Sequence, residues 1–216
     1  MHTEIDWCGR QIRIELQWVG ITDPAAPVMI FLHEGLGSVA LWKDFPDQLC
    51  RQLNMRGLVY SRPGYGRSTP RDKNEHWDTD FMHRQAFEVL PALLSTLGIS
   101  HPWLFGHSDG GSIALIFAGA FPDVPLGVIV MAPHEFVEEI TLQGIRAARR
   151  AWFDTDLPQR LALRGDAGVA MSVPLYLGPR RHPARGRGQT PVDLLVGLSL
   201  GLGVLAWSLC ITPAFP

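Results

Sequence analysis

The stretch Gly106-His107-Ser108-Asp109-Gly110 decides the fold of this chain. An apolar run at residues 103–105 leads into it, and a second apolar run at residues 113–118 follows it. This pattern predicts a strand, a sharp turn and a helix, with the serine in the turn. A serine with a glycine two positions away on each side, in such a turn, is typical of a nucleophile elbow, which presents its hydroxyl above a sheet and at a helix N-terminus. We therefore predict that Ser108 is a catalytic nucleophile.

Short apolar runs alternate with helical patterns on both sides of this turn. The predicted strands are residues 11–19, 28–32, 57–60, 103–106 and 126–131, and the predicted helices are residues 38–54, 79–97, 111–121 and 136–153. This alternation predicts an α/β fold, in which helices cover a parallel sheet. Ligands of such sheets bind at the carboxyl ends of the strands, so polar residues that directly follow a strand are candidates for a site.

Two of the predicted helices carry expectations about their ends and their buried faces. Ser38 is expected to cap the helix that runs to about Asn54. The helix of residues 79–97 is expected to bend at Pro91 and to end at Gly98. The apolar side chains expected to be buried are Leu41, Trp42, Phe45 and Leu49 in the first helix, and Phe87, Leu90, Leu94 and Leu97 in the second.

A glycine-rich turn, His33-Glu34-Gly35-Leu36-Gly37-Ser38, directly follows the predicted strand of residues 28–32. A serine nucleophile needs N–H donors for the oxyanion that develops in acyl transfer. We assign this oxyanion hole to the backbone N–H of Asp109 and to one N–H from Gly35 or its neighbour Leu36. The alternative is an ordinary strand-to-helix turn. His33 is expected to stabilise the turn by hydrogen bonds rather than to act as a catalytic base.

Composition excludes several classes of protein. The 216 residues can bury one sizeable core, and a net charge of −2 does not favour a nucleic-acid partner. Cys8, Cys50 and Cys210 are scattered, which argues against a disulfide framework or a zinc site and suits the cytoplasm. Residues 1–10 contain two acidic side chains and no apolar segment, so no signal peptide is predicted. Nothing in the sequence implies a metal or an organic cofactor.

Three motifs together resemble the α/β-hydrolase superfamily: residues 32–38, Ser61-Arg62-Pro63-Gly64-Tyr65-Gly66-Arg67-Ser68, and residues 106–111. Their order and spacing are similar to those of bacterial esterases, proline iminopeptidases and meta-cleavage-product hydrolases. The resemblance implies a three-layer α/β fold with a mostly parallel sheet. It also implies hydrolysis of a small-molecule ester, a related carboxylic-acid derivative or a C–C bond through an acyl-Ser108 intermediate. Glu34 departs from the glycine that many members carry.

The partners of the nucleophile are less evident. The superfamily places an acid after a late strand and a histidine near the C-terminus. Asp166 and His182 are the tentative acid and base on that order, although the sequence around His182 does not resemble the family. His134 and Glu135 follow the predicted strand of residues 126–131 and resemble the start of the family's cap. A chemical role for His134 and Glu135 is the alternative.

The sequence changes character near residue 164. We predict a hydrolase core with the start of a cap over residues 1–163 and an atypical tail over residues 164–216. This tail is rich in Gly, Pro and Arg, and then carries no charged residue from Leu194 to Ile211, a length that could span a membrane. We favour a frameshift or truncation, which would leave the fold incomplete on its C-terminal side. The alternatives are a membrane anchor or a divergent soluble end, and, for function, a non-catalytic fragment without an acid and a base.

Overall fold

The computed structural model of the chain describes residues 1–71, 79–134, 139–156 and 159. These residues form a six-stranded sheet. The strands are β1 (His2–Trp7), β2 (Arg10–Gly20), β3 (Val28–Leu32), β4 (Arg56–Tyr60), β5 (Trp103–His107) and β6 (Gly127–Met131). Their order is β1-β2-β4-β3-β5-β6. The last four strands in this order are parallel, whereas β1 and β2 pair antiparallel. The predicted mostly parallel sheet is confirmed, and β1 adds a strand that the sequence analysis did not predict.

Helices cover both faces of the sheet. They are α1 (Phe45–Gln52), α2 (Phe81–Arg84), α3 (Leu90–Leu97), α4 (Asp109–Ala120) and α5 (Glu139–Asp154). Alternate residues of the parallel strands separate into two apolar clusters. One side of the sheet packs Ile30 and Leu104 against α2, α3 and α4, and the other packs Phe31 and Phe105 against the segment that leads into α1. Strands buried on two faces need these continuous apolar runs, so the three-layer arrangement follows from the sequence.

The helix predicted from Ser38 to Asn54 is interrupted. A 3₁₀ turn covers Val39–Trp42, Lys43 then takes a left-handed φ of 52°, and α1 begins only at Phe45. Ser38 makes no side-chain capping bond to this segment, and Phe45 is 40% exposed rather than buried. Pro46 explains the interruption, because a proline has no N–H to continue a helix but fits the first turn of a new one.

The second predicted helix is also irregular. A π-helical turn, Gln85–Val89, separates α2 from α3 and adds a residue to the helical repeat. Phe87 therefore points outward and is 45% exposed, so its predicted burial was wrong, while Leu90 and Leu94 are buried as expected. The irregularity lies just before Pro91, which cannot donate the next helical hydrogen bond. Gly98 ends the helix in the left-handed conformation that the sequence predicts.

The sheet has one partly exposed apolar border. In the described part of the chain β6 pairs with β5 on one side and with no strand on the other. Ile129 is 38% exposed and Met131 is 45% exposed.

Several sequence predictions fall elsewhere in the chain. Asp166, His182, Glu135 and the tail of residues 164–216, with its apolar stretch from Leu194 to Ile211, lie outside the described residues, and the division of the chain near residue 163 stays a prediction. Over the ranges that the structure describes, none of the helices combines the length and the apolarity that a membrane crossing requires.

Candidate active site

Ser108 occupies the turn between β5 and α4 in a strained backbone conformation. Its φ is 53° and its ψ is −117°, a region that costs a non-glycine residue about 1–3 kcal/mol. Close packing enforces the turn, because a side chain at Gly110 would overlap the carbonyl oxygen of Leu32. The Ser108 N–H donates to the carbonyl oxygen of Met131 at 2.8 Å, which fixes the turn to the end of β6.

The register of the parallel strands brings four connections together. Leu32 on β3 lies opposite Gly106 on β5, and His107 on β5 lies opposite Met131 on β6. The residues that follow these strands therefore leave the sheet at the same edge, beside the loop that follows β4. The polar side chains that meet at this edge are His33 after β3, Arg62 after β4, Ser108 and Asp109 after β5, and His134 after β6.

The side chain of His134 makes a polar contact with the hydroxyl of Ser108. Its Nε2 lies 2.7 Å from the Oγ of Ser108. Ala132, with a left-handed φ of 47°, turns the chain after β6. The backbone N–H of His134 then donates to the Oγ of Ser112 on α4 at 2.8 Å. We expected His134 to begin a cap, but the structure brings it to the serine, where a neutral imidazole nitrogen can accept the hydroxyl proton.

Asp109 carries a carboxylate that solvent does not reach. Its side chain is 0% exposed. One oxygen, Oδ1, lies 3.4 Å from the Nε2 of His134, and the other, Oδ2, lies 3.5 Å from the Nη2 of Arg62. The guanidinium of Arg62 is also 0% exposed. A buried carboxylate therefore connects the imidazole beside the serine to a buried cation.

His33 and the turn after β3 hold Arg62 in place. The Arg62 backbone N–H donates to the Nε2 of His33 at 3.0 Å, while the His33 Nδ1–H donates to the Glu34 carbonyl oxygen at 2.7 Å. The Arg62 Nη2 donates to the same carbonyl oxygen at 2.8 Å. Burial, and then the Arg62 charge, hold the pKa of His33 well below its ordinary value. His33 is thus a neutral, hydrogen-bonding residue of the turn, as the sequence analysis expected.

The turn after β3 also contacts the serine turn directly. The Oε2 of Glu34 lies 3.8 Å from the Nδ1 of His107, and both side chains are largely buried. Asp109 is the first residue of α4, where backbone N–H groups have no acceptor within the helix. Gly35 and Leu36 lie between β3 and α1. The oxyanion hole assigned to Asp109, Gly35 and Leu36 stays a prediction.

The residues described contain no group of three or more His, Cys, Asp or Glu side chains that could hold a metal ion.

The sequence did not predict the place of Arg62 in this site, and it indicated a chemical role for His134 only as an alternative. Arg62 stands in the motif of residues 61–68, but nothing local predicts that its guanidinium reaches Asp109. His134 was named with only an alternative chemical role. The available signal for both was their position directly after a predicted parallel strand.

Comparison with known proteins agrees with the fold. A sequence model of the family described as alpha/beta hydrolase fold matches residues 27–178. Serine hydrolase BPHL of Mus musculus is 32% identical over 109 residues, which cover 48% of this chain and 36% of that protein. The human protein of the same name is 30% identical over 109 residues. The chain thus matches about a third of the length of these two relatives.

Solved structures with less sequence identity share the same architecture. A thermophilic esterase from Thermogutta terrifontis superposes with a TM-score of 0.55 at 20% identity, covering 74% of this chain and 57% of the esterase. A putative aryl esterase from Burkholderia cenocepacia superposes with a TM-score of 0.55 at 21% identity, covering 82% and 71%. These likenesses concern the fold.

Proposed function

This chain belongs to the alpha/beta hydrolase fold family, and from that premise we propose that it is a serine hydrolase of small-molecule esters with Ser108 as its nucleophile. The observation that carries the proposal is the 2.7 Å separation between the Ser108 Oγ and the His134 Nε2. A serine hydroxyl is a weak nucleophile unless a base lies within hydrogen-bond reach. His134 meets that requirement from the end of the neighbouring strand.

The proposed reaction is acyl transfer through a covalent intermediate. The Ser108 Oγ bonds to the ester carbonyl carbon while its proton passes to the His134 Nε2. The carbonyl oxygen then carries negative charge, and the backbone N–H groups of Asp109 and of Gly35 or Leu36 receive it. The tetrahedral intermediate collapses, the alkoxide leaves with the proton from His134, and a water molecule activated by the same nitrogen releases the acid from Ser108.

Two further observations support this class of reaction. The backbone strain at Ser108 is typical of functional positions, where the surrounding structure holds a conformation that is locally unfavourable. The names of the relatives, a serine hydrolase and two esterases, point to the same chemistry.

The test is hydrolysis of p-nitrophenyl acetate and butyrate by the purified chain. Ser108→Ala is expected to lower kcat by roughly 10³-fold or more, because both acyl transfer steps need the nucleophile. His134→Gln is expected to cause a similar loss. His101→Gln, an exposed histidine before β5, is the matched control and should retain the wild-type rate.

The same experiment separates the alternatives. A wild-type rate no higher than that of Ser108→Ala would overturn the proposal in favour of a non-catalytic protein. A Ser108-dependent rate that survives His134→Gln and is lost in His182→Gln would move the base to the tail.

A further inference from the structure

We propose that the side chain of Asp109 provides the negative charge that stabilises protonated His134 during acyl transfer, and that Arg62 positions this carboxylate. The proposal rests on the proposed function, because it concerns the same serine. It assigns the acid of the site to the residue that directly follows the nucleophile. In the sequence analysis only the backbone N–H of Asp109 had a role, and the tentative acid was Asp166.

The geometry around a single nitrogen carries the proposal. The His134 Nε2 lies 2.7 Å from the Ser108 Oγ and 3.4 Å from the Asp109 Oδ1. The nitrogen that receives the serine proton thus already faces a carboxylate oxygen. The Asp109 side chain is 0% exposed, so little water screens the attraction between this carboxylate and an imidazolium.

The proton follows a balanced path. When the Ser108 Oγ bonds to the carbonyl carbon, its proton moves to Nε2 and the carbonyl π pair moves to the oxygen. The positive charge on the ring then lies 3.4 Å from the Asp109 Oδ1 at Nε2, and the carboxylate, which stays ionised, stabilises it. When the ester C–O bond breaks, the same proton passes to the leaving alkoxide. A Ser-His-Asp triad instead places the acid on the Nδ1 side of the imidazole.

Arg62 offsets the cost of burying the Asp109 carboxylate at this position. An isolated buried charge is strongly unfavourable, and a second charge with good geometry offsets that cost. The Arg62 Nη2 lies 3.5 Å from the Asp109 Oδ2, which leaves Oδ1 on the side of His134. His33 and the Glu34 carbonyl oxygen hold the guanidinium from the other side. Arg62 contacts no reacting atom, so its role is positioning.

The test is a double-mutant cycle on kcat with p-nitrophenyl butyrate. Asp109→Asn keeps the shape of the side chain and removes its charge. It is expected to lower kcat by roughly 10²-fold, within the range of general acid–base effects, and to leave KM little changed. In the His134→Gln background Asp109→Asn is expected to cause little further loss, because the carboxylate acts through the imidazolium.

A matched substitution elsewhere is the control for charge removal. Asp47→Asn removes a partly exposed carboxylate from α1, which takes no part in the site, and should leave kcat unchanged. Circular dichroism and thermal melts of each variant establish that it is folded.

Arg62 provides a second cycle if Asp109→Asn does not fold. Arg62→Lys keeps the charge but loses the planar guanidinium, whose Nε contacts His33 while its Nη2 contacts the Glu34 carbonyl oxygen and the Asp109 carboxylate. It should lower kcat in the wild-type background and cause little further loss with His134→Gln. Arg62→Met should lower kcat more than Arg62→Lys.

Two results would overturn the inference while leaving the proposed function intact. One is Ser108-dependent turnover that Asp109→Asn and Arg62→Lys do not reduce. The other is a loss of kcat that multiplies in the double variants, which would mean that Asp109 acts independently of His134. Failure of the proposed function is distinct, because the wild-type chain would then show no Ser108-dependent turnover at all.

Discussion

Two arginine–aspartate pairs in this molecule have the same chemistry and opposite surroundings. Arg51 and Asp47 lie one helical turn apart on α1. The Arg51 Nε lies 2.8 Å from the Asp47 Oδ2, and the side chains are 63% and 37% exposed. Arg62 and Asp109 meet at the carboxyl edge of the parallel strands at 3.5 Å, and both are 0% exposed. The Arg62–Asp109 pair is expected to affect stability more although its separation is longer. Water screens the Arg51–Asp47 pair but does not reach the Arg62–Asp109 pair.

The backbone conformation also differs between α1 and the edge of the sheet at Ser108. The α1 segment Phe45–Gln52 is a regular helix, whereas Ser108 is held at positive φ. Buried charge and local strain both cost stability, and both occur at the edge where the sheet presents its polar residues. This coincidence is typical of functional sites, where the surrounding structure sustains locally unfavourable features. The regular surface of α1 is therefore the natural control for the site.

The largest expected difference comes from breaking each pair. Arg62→Met leaves the Asp109 carboxylate buried without its partner and is expected to lower the free energy of unfolding by about 3–5 kcal/mol. Arg51→Met is expected to leave the unfolding midpoint unchanged within the scatter of repeated measurements, because solvent replaces the lost contact. Urea unfolding followed by tryptophan fluorescence measures both. An equal loss of unfolding free energy in Arg62→Met and Arg51→Met would contradict the expected difference between the buried and the exposed pair.

The next difference is in the dependence of stability on pH. Burial and the Arg62 charge lower the pKa of His33, so the unfolded chain binds a proton there at a pH where the folded chain does not. The contribution of His33 is fully present above about pH 6.5, the unfolded value, and is lost as the pH falls. The loss approaches at most about 1.4 kcal/mol per pH unit below that value.

The exposed pair responds in a different window. The hydrogen bond from Arg51 lowers the pKa of Asp47, so its contribution is present above the unfolded value of about 3.9 and is lost only below it. Urea unfolding between about pH 7 and 5 therefore separates the contribution of His33 from that of Asp47. His33→Gln should flatten the dependence of the free energy of unfolding on pH in this window. An unchanged slope in His33→Gln would show that another group titrates.

The smallest expected difference concerns backbone strain. Ser108→Gly and Ser108→Ala both remove the hydroxyl, but only glycine adopts φ 53° and ψ −117° without strain. Ser108→Gly should therefore be the more stable of the two by about 1 kcal/mol, after the extra backbone entropy of glycine is subtracted. The sign should reverse at Gln48 in α1, where glycine costs about 0.5–1 kcal/mol relative to alanine. If the glycine variant were more stable than the alanine variant at both positions, or less stable at both, backbone strain at Ser108 would not explain the difference.

Local pattern was sufficient for most of the sheet but not for the helix interruptions. The apolar runs that became β3, β4, β5 and β6 were predicted within a residue or two of their observed ends. The break at Lys43 and the π-helical turn before Pro91 were not predicted. In both places a proline, Pro46 or Pro91, lies within a continuing periodic apolar pattern. The pattern alone does not predict how the chain accommodates the missing N–H.

The sequence by itself determined the class of fold and the position of the nucleophile. Both depend on residues that are neighbours along the chain: the apolar runs, and the small residues that allow the sharp turn at Ser108. What only the tertiary structure decided is which groups surround that serine. His134 and Arg62 stand 26 and 46 positions away in sequence from Ser108, and they reach the site because the strand order is β4-β3-β5-β6. Strand order follows from how the whole sheet packs, and no local spacing encodes it.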